Sequence, residues 1–287
     1  MNSQTLKTKI FLDSGDPKDT ESMLSLLGFL DGQTTNPSLI AQSPGAKERL
    51  LKGEKFSKKE LFDFYKETIQ KISLLIPEGS VSIEVYADSA TLAEDMFVQG
   101  KEMFSWIKNA HIKYPTNKEG LKAAKRSVKK GMRVNMTLCF TQEQAAAVYS
   151  ATMGAKKGDV FVSPFIGRLD DRGENGMQLI ENILKMYEKG DGHVEVLTAS
   201  VRNLNHFMAA IHLGSDIITA PVKILTEWQE KGSLALAEGY LYEKGELKDI
   251  SYKELSLEKS WEEFDIHHEL TDKGIEKFAE DWNNLIQ

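Results

Sequence analysis

A single cysteine, Cys139, in a chain of 287 residues excludes an internal disulfide and a cysteine-rich metal centre. Its apolar neighbours predict a buried packing residue. Excess positive charge is also missing: 36 Lys and Arg stand against 43 Asp and Glu, a formal net charge of -7. Phosphate backbones are bound by clustered cations on one face, so nucleic acid is not an expected partner. The one basic run, Lys122, Lys125, Arg126, Lys129 and Lys130, has the spacing of a solvated helix face. No apolar run reaches the roughly 18 residues of a membrane span, and MNSQTLKTKIFLDSGD lacks the long apolar stretch of a signal peptide. A soluble, cytoplasmic protein with no membrane partner is expected. Gly-rich nucleotide loops are absent too. Adjacent His267 and His268 face opposite ways on a strand and are not one turn apart on a helix, so no shared metal site is expected.

What the chain does have is rhythm. Its 41% hydrophobic and 28% charged residues are those of an ordinary globular protein. Short β-rich runs alternate with segments of helical periodicity, the pattern of βα units around a parallel sheet. The runs are KIFLD (9–13), DGQTTN (31–36), SVSIEVY (80–86), AHIKYP (110–115), RVNMTL (133–138), DVFVSPF (159–165), HVEVLTAS (193–200) and DIITAPV (216–222). The second is weak on propensity. Between them, Lys58 to Ile76 has helical apolar spacing, and Gln142 to Met153 follows a Thr141 cap. Eight such units predict an α/β fold, a (β/α)8 TIM barrel, in one domain spanning 1–287. The charged stretch from Thr226 to Glu269 breaks the rhythm and reads as an insertion or arm. A C-terminal helix over 270–287, capped by Thr271, carries Ile275, Phe278, Ala279, Trp282 and Ile286 as one apolar stripe. It can dock on its own barrel or, in a homo-oligomer, on a neighbouring subunit.

Strand side chains alternate, so each run offers one set to the helices and the other to the barrel axis. The apolar set comprises Ile10 and Leu12, Ile83 and Val85, Ile112 and Tyr114, Val134 and Met136, Val160 and Val162, and Leu197 and Ala199. The opposite set holds Asp13, Thr34, Asn36, Glu84, Lys113, Asn135, Thr137, Ser163, Phe165 and Ser200, with Arg202 just beyond. An exposed lysine at a strand end, or one buried ion pair, would be the ordinary explanation of Lys113. Two carboxylates, a lysine and a ring of amides and hydroxyls exceed what a stable core needs, because each adds a desolvation cost. Burial disfavours the charged form of an amine, and a neutral lysine can attack a ketone to give an iminium that draws electrons from the adjacent carbon–carbon bond. Either Asp13 or Glu84 could remove the hydroxyl proton whose loss breaks that bond. Arg168 and Arg202, past the sixth and seventh runs, suit a phosphate, with Ser200 adding a hydroxyl. His111, two residues before Lys113, should lie one layer deeper in a hydrogen-bonded core role.

Taken in order, LDSGD (12–16), DGQTTNPSLI (31–40), SIEVYAD (82–88), HIKYPTNKEGL (111–121), VNMTLCFTQEQA (134–145), VSPFIGRLDDRG (162–173) and LTASVRN (197–203) resemble the strand motifs of the transaldolase family. The resemblance covers about residues 8–225, and TDKGIEKFAEDW (271–282) is similar to the end of its shorter members. It implies a cofactor-free class I enzyme of the pentose phosphate pathway, which moves a dihydroxyacetone unit from sedoheptulose 7-phosphate or fructose 6-phosphate to an aldose phosphate. By the same matching, Lys113 forms the Schiff base, Asp13 acts on the hydroxyl proton, and Glu84 relays protons through a water held by Thr137. Asn36, Asn135 and Ser163 would bind the dihydroxyacetone unit, while Arg168, Ser200 and Arg202 hold the phosphate. Thr34 and Phe165 complete the expected substrate contacts. Fructose-6-phosphate aldolases are the nearest alternative. Glu84, Phe165 and Arg202 resemble the transaldolase choices, where the aldolase type tends to carry Gln, Tyr and Lys. A non-catalytic sugar-phosphate-binding barrel is the third reading. The loop from Gln42 to Lys59 and the arm from Thr226 to Glu269 match nothing in that pattern.

Overall fold

The computed structural model describes residues 6–233, 240 and 242–287; residues 1–5 of the amino-terminal stretch and 234–239 and 241 of the expected arm lie outside them. Strands β1 (Lys9–Asp13), β2 (Gly32–Thr34), β3 (Ser80–Glu84), β4 (Ala110–Pro115), β5 (Val134–Cys139), β6 (Val160–Pro164), β7 (Val194–Thr198) and β8 (Ile217–Ala220) close in that order into a parallel barrel. Helix α1 (Pro17–Leu27) follows β1, and α2 (Pro37–Gln42), α3 (Pro44–Leu51) and α4 (Lys58–Leu75) follow β2. Then come α5 (Ala93–Phe104), α6 (Lys118–Val128), α7 (Gln142–Ala151), α8 (Ile166–Asp170) with α9 (Gly176–Tyr187), α10 (Leu204–Leu213), α11 (Val222–Glu230) and α12 (Glu269–Asn283). The expected (β/α)8 barrel is therefore present, and no helix among the described residues is long and apolar enough to cross a membrane.

Local chemistry explains why helices start just above the strands. Asp16, Asn36, Asn117, Thr141 and Asn203 each cap the following helix with a side-chain oxygen, and Pro17 and Pro37 occupy first-turn positions where no N–H is needed. Thr141 and Gln144 form a reciprocal capping box. Each cap fixes where the chain leaves its strand, and so fixes the height of the side chains at the strand's end.

The lower barrel is a packed aromatic layer. His111 stacks on Phe161 at 4.0 Å, and Phe11 meets Phe161 edge-on at 6.0 Å. His111 lies one layer below Lys113, with Nδ1 2.7 Å from Ser80 Oγ and Nε2 2.9 Å from the Gly158 carbonyl. Burial pushes its pKa down to about 3, which keeps the ring neutral. Phe161→Ala is expected to lower stability by about 3–5 kcal/mol through the cavity it leaves, read as a shift in the urea midpoint at unchanged slope.

The structure corrects four expectations. Leu197 and Ala199 line the barrel cavity and do not sit beneath helices. Ser200 has φ 61°, and that left-handed turn ends the alternation just past β7, so Ala199 and Ser200 both reach the cavity. Thr271 does not cap the last helix. His268 does, its Nδ1 accepting the Leu270 N–H at 3.2 Å, while buried Thr271 donates to the Leu138 carbonyl at 2.9 Å. The expected loop from Gln42 to Lys59 contains helix α3 and is bounded by the end of α2 and the start of α4. The start of the charged stretch, Thr226 to Glu230, belongs to α11, where Trp228 is buried. Helix α12 docks on its own barrel, against α2 and β5, and Trp282 meets Tyr65 edge-on at 5.8 Å.

Candidate active site

The parallel register sets Glu84 beside Lys113 and Lys113 beside Asn135, one layer above His111, while Asp13 pairs with Thr34 across β1 and β2. Above this layer opens a cavity of about 370 Å³, within the range of small-molecule sites. Asp13, Thr34, Asn36, Lys113, Ser163, Phe165, Arg168, Ser200 and Arg202 all line it. The other three candidates, Glu84, Asn135 and Thr137, are buried and are not among its lining residues.

Lys113 is 3% exposed. Its Nζ donates to the Thr35 carbonyl at 2.9 Å and lies 2.9 Å from Glu84 Oε2 in a buried ion pair. Desolvation raises the Glu84 carboxyl above its usual range, against the lowering pull of Lys113 and Arg168. Glu84 is thus a ready acceptor for a proton leaving the lysine. Thr137 Oγ is buried with no hydrogen-bond partner among the described residues, two residues beyond Asn135 on β5. Asn135 donates to Ser82 Oγ at 3.1 Å and accepts from Ser163 Oγ at 2.6 Å, so it holds the serine that faces the cavity.

Asp13 Oδ1 accepts the Thr34 hydroxyl at 2.6 Å, and Thr34 Oγ is 2.6 Å from Thr219 Oγ. Because the Thr34 proton goes to Asp13, Thr219 must donate to Thr34. Burial raises the Asp13 carboxyl, with Thr34 and Lys113 opposing. Asn36 uses Oδ1 to cap α2 at Leu39 N, 2.9 Å, which leaves its amide NH₂ for the cavity.

The opposite wall is cationic. Arg168 on α8 lies 5.3 Å from the Phe165 ring and 5.5 Å from Phe278, between two aromatic faces. Its pKa is pushed down by burial first and by neighbouring Arg202 second, two guanidinium groups that an anion between them would reconcile. Arg202 also pairs with Asp171 at 2.8 Å. Close approach explains two glycines: a Cβ at Gly167 would strike the Ser200 carbonyl and the Arg202 side chain, and one at Gly274 would strike Leu138 and Arg168.

Sequence reasoning missed Thr219 on β8, although its alternation with apolar Ile218 and Ala220 marks it as inward-facing. It also missed Lys277 and Asp281 of α12, which line the mouth; Asp281 accepts the Ser38 hydroxyl and pairs with Lys277 at 2.7 Å. Nothing local in the sequence shows which end of the barrel the last helix crosses. An amine beside a proton acceptor, a second carboxylate and a dicationic wall can together carry out carbonyl chemistry on a phosphorylated substrate.

The family model described as Transaldolase/Fructose-6-phosphate aldolase matches residues 10–287, so the family pattern runs through the charged stretch to the last residue, beyond the extent the motifs suggested. A protein of Dehalococcoides mccartyi named "Probable transaldolase" is 32% identical over 277 residues, covering 96% of this chain and 99% of the relative. One of Brucella ovis with the same name is 36% identical, covering 96% of each chain. A Brucella melitensis protein, again "Probable transaldolase", is 40% identical over 213 residues, 74% of this chain and 85% of the relative.

Proposed function

The chain belongs to the transaldolase/fructose-6-phosphate aldolase family, and from that premise we propose that it is a transaldolase acting through a Schiff base on Lys113. The observation that carries this reading is the buried Lys113–Glu84 pair at the floor of a cavity whose far wall holds Arg168 and Arg202. Glu84 accepts the ammonium proton, and the freed amine attacks the C2 carbonyl of a ketose phosphate. Loss of water then gives the iminium. Asp13 removes the proton of the C4 hydroxyl, the C3–C4 electrons flow into the iminium, and an aldose phosphate leaves. The enamine that remains attacks the aldehyde of an acceptor aldose phosphate, and the same steps run backwards.

The orphaned Thr137 hydroxyl and the raised Glu84 carboxyl support a water-mediated proton relay between them. Asn36 and Ser163, which line the cavity, would bind the dihydroxyacetone hydroxyls, with Asn135 orienting Ser163. Glu84, Phe165 and Arg202, which resemble the transaldolase choices, support transfer to an acceptor over release of free dihydroxyacetone. The place of such a reaction is the pentose phosphate pathway, with sedoheptulose 7-phosphate or fructose 6-phosphate as donor.

Glyceraldehyde 3-phosphate release from fructose 6-phosphate, with and without erythrose 4-phosphate, tests the assignment. Sustained release only with the acceptor is expected. Equal release without it makes the protein an aldolase, and no release in either case removes the reading.

A further inference from the structure

We propose that His206 is a positioning residue that holds the Ser200–Arg202 segment in its phosphate-binding shape. The inference rests on the assignment of Arg168 and Arg202 to the phosphate. His206 lies in the first turn of α10, 3% exposed, and touches no part of the cavity itself. Its Nδ1 accepts the backbone N–H of Arg202 at 3.3 Å. Its Nε2 lies 2.7 Å from Oδ2 of Asp170, the last residue of α8.

These contacts fix the ring's proton. Nδ1 is an acceptor and carries none, so the single proton of the neutral ring sits on Nε2 and points at Asp170. Asp170 is itself held, its Oδ1 accepting the Gly176 N–H at 2.9 Å where α9 begins. A chain of side chains thus runs from α9 through Asp170 and His206 to the backbone of Arg202. It ties together the two segments that supply the guanidinium groups, Arg168 from α8 and Arg202 from the loop after β7.

That loop needs tethers. Ser200 stands at φ 61°, a conformation that costs a serine free energy and persists only when its surroundings hold it. The Gly167 N–H donates to the Ser200 carbonyl at 3.1 Å on one side of Arg202, and His206 secures Arg202's own N–H. Without the acceptor at Nδ1, the Arg202 amide loses its partner among the described residues and the loop relaxes, moving both the Ser200 hydroxyl and the Arg202 side chain. A histidine serving only to fill the core of α10 would not distinguish its two nitrogens.

Two amide replacements separate them. Asparagine places an acceptor where Nδ1 stands and gives up the Asp170 contact, whereas glutamine reaches Asp170 and gives up the Arg202 amide. The full chain and its His206→Gln, His206→Asn and Arg202→Ala variants would be titrated with inorganic phosphate by calorimetry, with thermal melting to establish that each is folded. Phosphate affinity should fall about tenfold in His206→Gln, the scale of one weakened charge-assisted hydrogen bond, and stay close to wild type in His206→Asn. The KM for fructose 6-phosphate should rise in His206→Gln with kcat retained. If Arg202→Ala weakens phosphate binding but folded His206→Gln does not, or if His206→Asn falls as far as His206→Gln, this role for His206 is overturned. Unchanged phosphate binding in Arg202→Ala overturns the phosphate assignment on which it rests. Should His206→Gln not fold, Asp170→Asn carries the test with the same expected loss, because it removes the charged partner that selects the tautomer.

Discussion

Lys113→Met is expected to abolish turnover and leave a folded protein. Methionine has nearly the length of lysine but no amine, so no iminium can form and the carbon–carbon bond loses its electron sink. The loss should reach the detection limit, a drop of at least about 10⁴-fold, because among the described residues no other amine lines the cavity floor; Lys277, at the mouth, is paired with Asp281. The objection to such a variant is that it breaks a buried ion pair, which ordinarily costs about 3–5 kcal/mol by stranding the partner charge. Here the partner has an escape. The Glu84 carboxyl is already raised by desolvation, and loss of Lys113 removes the strongest influence holding it down, so Glu84 takes a proton and becomes neutral. Borohydride in the presence of fructose 6-phosphate should trap a covalent adduct on the wild-type chain and none on Lys113→Met. Substantial activity in the variant, or an adduct elsewhere, would remove Lys113 from the mechanism. An adduct-free wild type would favour a barrel that only binds sugar phosphates.

Strand positions were legible because a barrel strand carries two signals at once, alternation and a polar residue at its upper end. KIFLD and AHIKYP match β1 and β4 residue for residue. Asp13, Lys113, Ser163 and Phe165 could be placed from alternation alone, since nothing between strand and cavity disturbs the backbone there. Alternation failed where the backbone leaves the extended region. At Ser200 a left-handed turn put Ala199 and Ser200 on the same cavity. At Leu138, φ 59° accompanies a register shift between β5 and β6, and the freed Leu138 carbonyl becomes the anchor of Thr271 on α12. No residue type announces either turn, since neither leucine nor serine favours positive φ.

The same two departures from regular strand geometry each meet a glycine packed close to Arg168. Gly274 of α12 rests against Leu138 and Arg168, and Gly167 beside Arg168 rests against the Ser200 carbonyl. Strain of this kind persists where the surroundings over-determine it. The contribution of α12 was the least legible part, because tertiary docking decides it: the stripe of Ile275, Phe278 and Trp282 predicts a buried face without saying that Lys277 and Asp281 beside it will edge the cavity mouth.

Asp13→Asn should produce a protein that is both slower and more stable. Asparagine keeps the shape and can still accept the Thr34 hydroxyl, but it cannot take the proton of the C4 hydroxyl. General-base contributions of about 10²–10⁴ in rate set the size of the expected fall in kcat. The stability gain follows from the direction of the pKa shift. Burial holds the folded Asp13 carboxyl above the usual aspartate value of 3.8, so the folded chain binds that proton more tightly than the unfolded one. As pH rises from 3.8 through the raised folded value, the folded state progressively loses stability, and above that value the whole penalty is present. Asparagine carries no such penalty. Urea midpoints of the two proteins should therefore differ in favour of the variant at neutral pH and converge as pH falls toward and below 3.8. In the wild type, the acid limb of the kcat profile should lie above the ordinary aspartate range, because the base must be ionised to act, and that limb should be lost in Asp13→Asn. A variant of normal rate would take Asp13 out of proton transfer. A variant that is slow but less stable at neutral pH would mean that Asp13 is held as a structural partner of Thr34 and Lys113, with the desolvation of its charge fully offset.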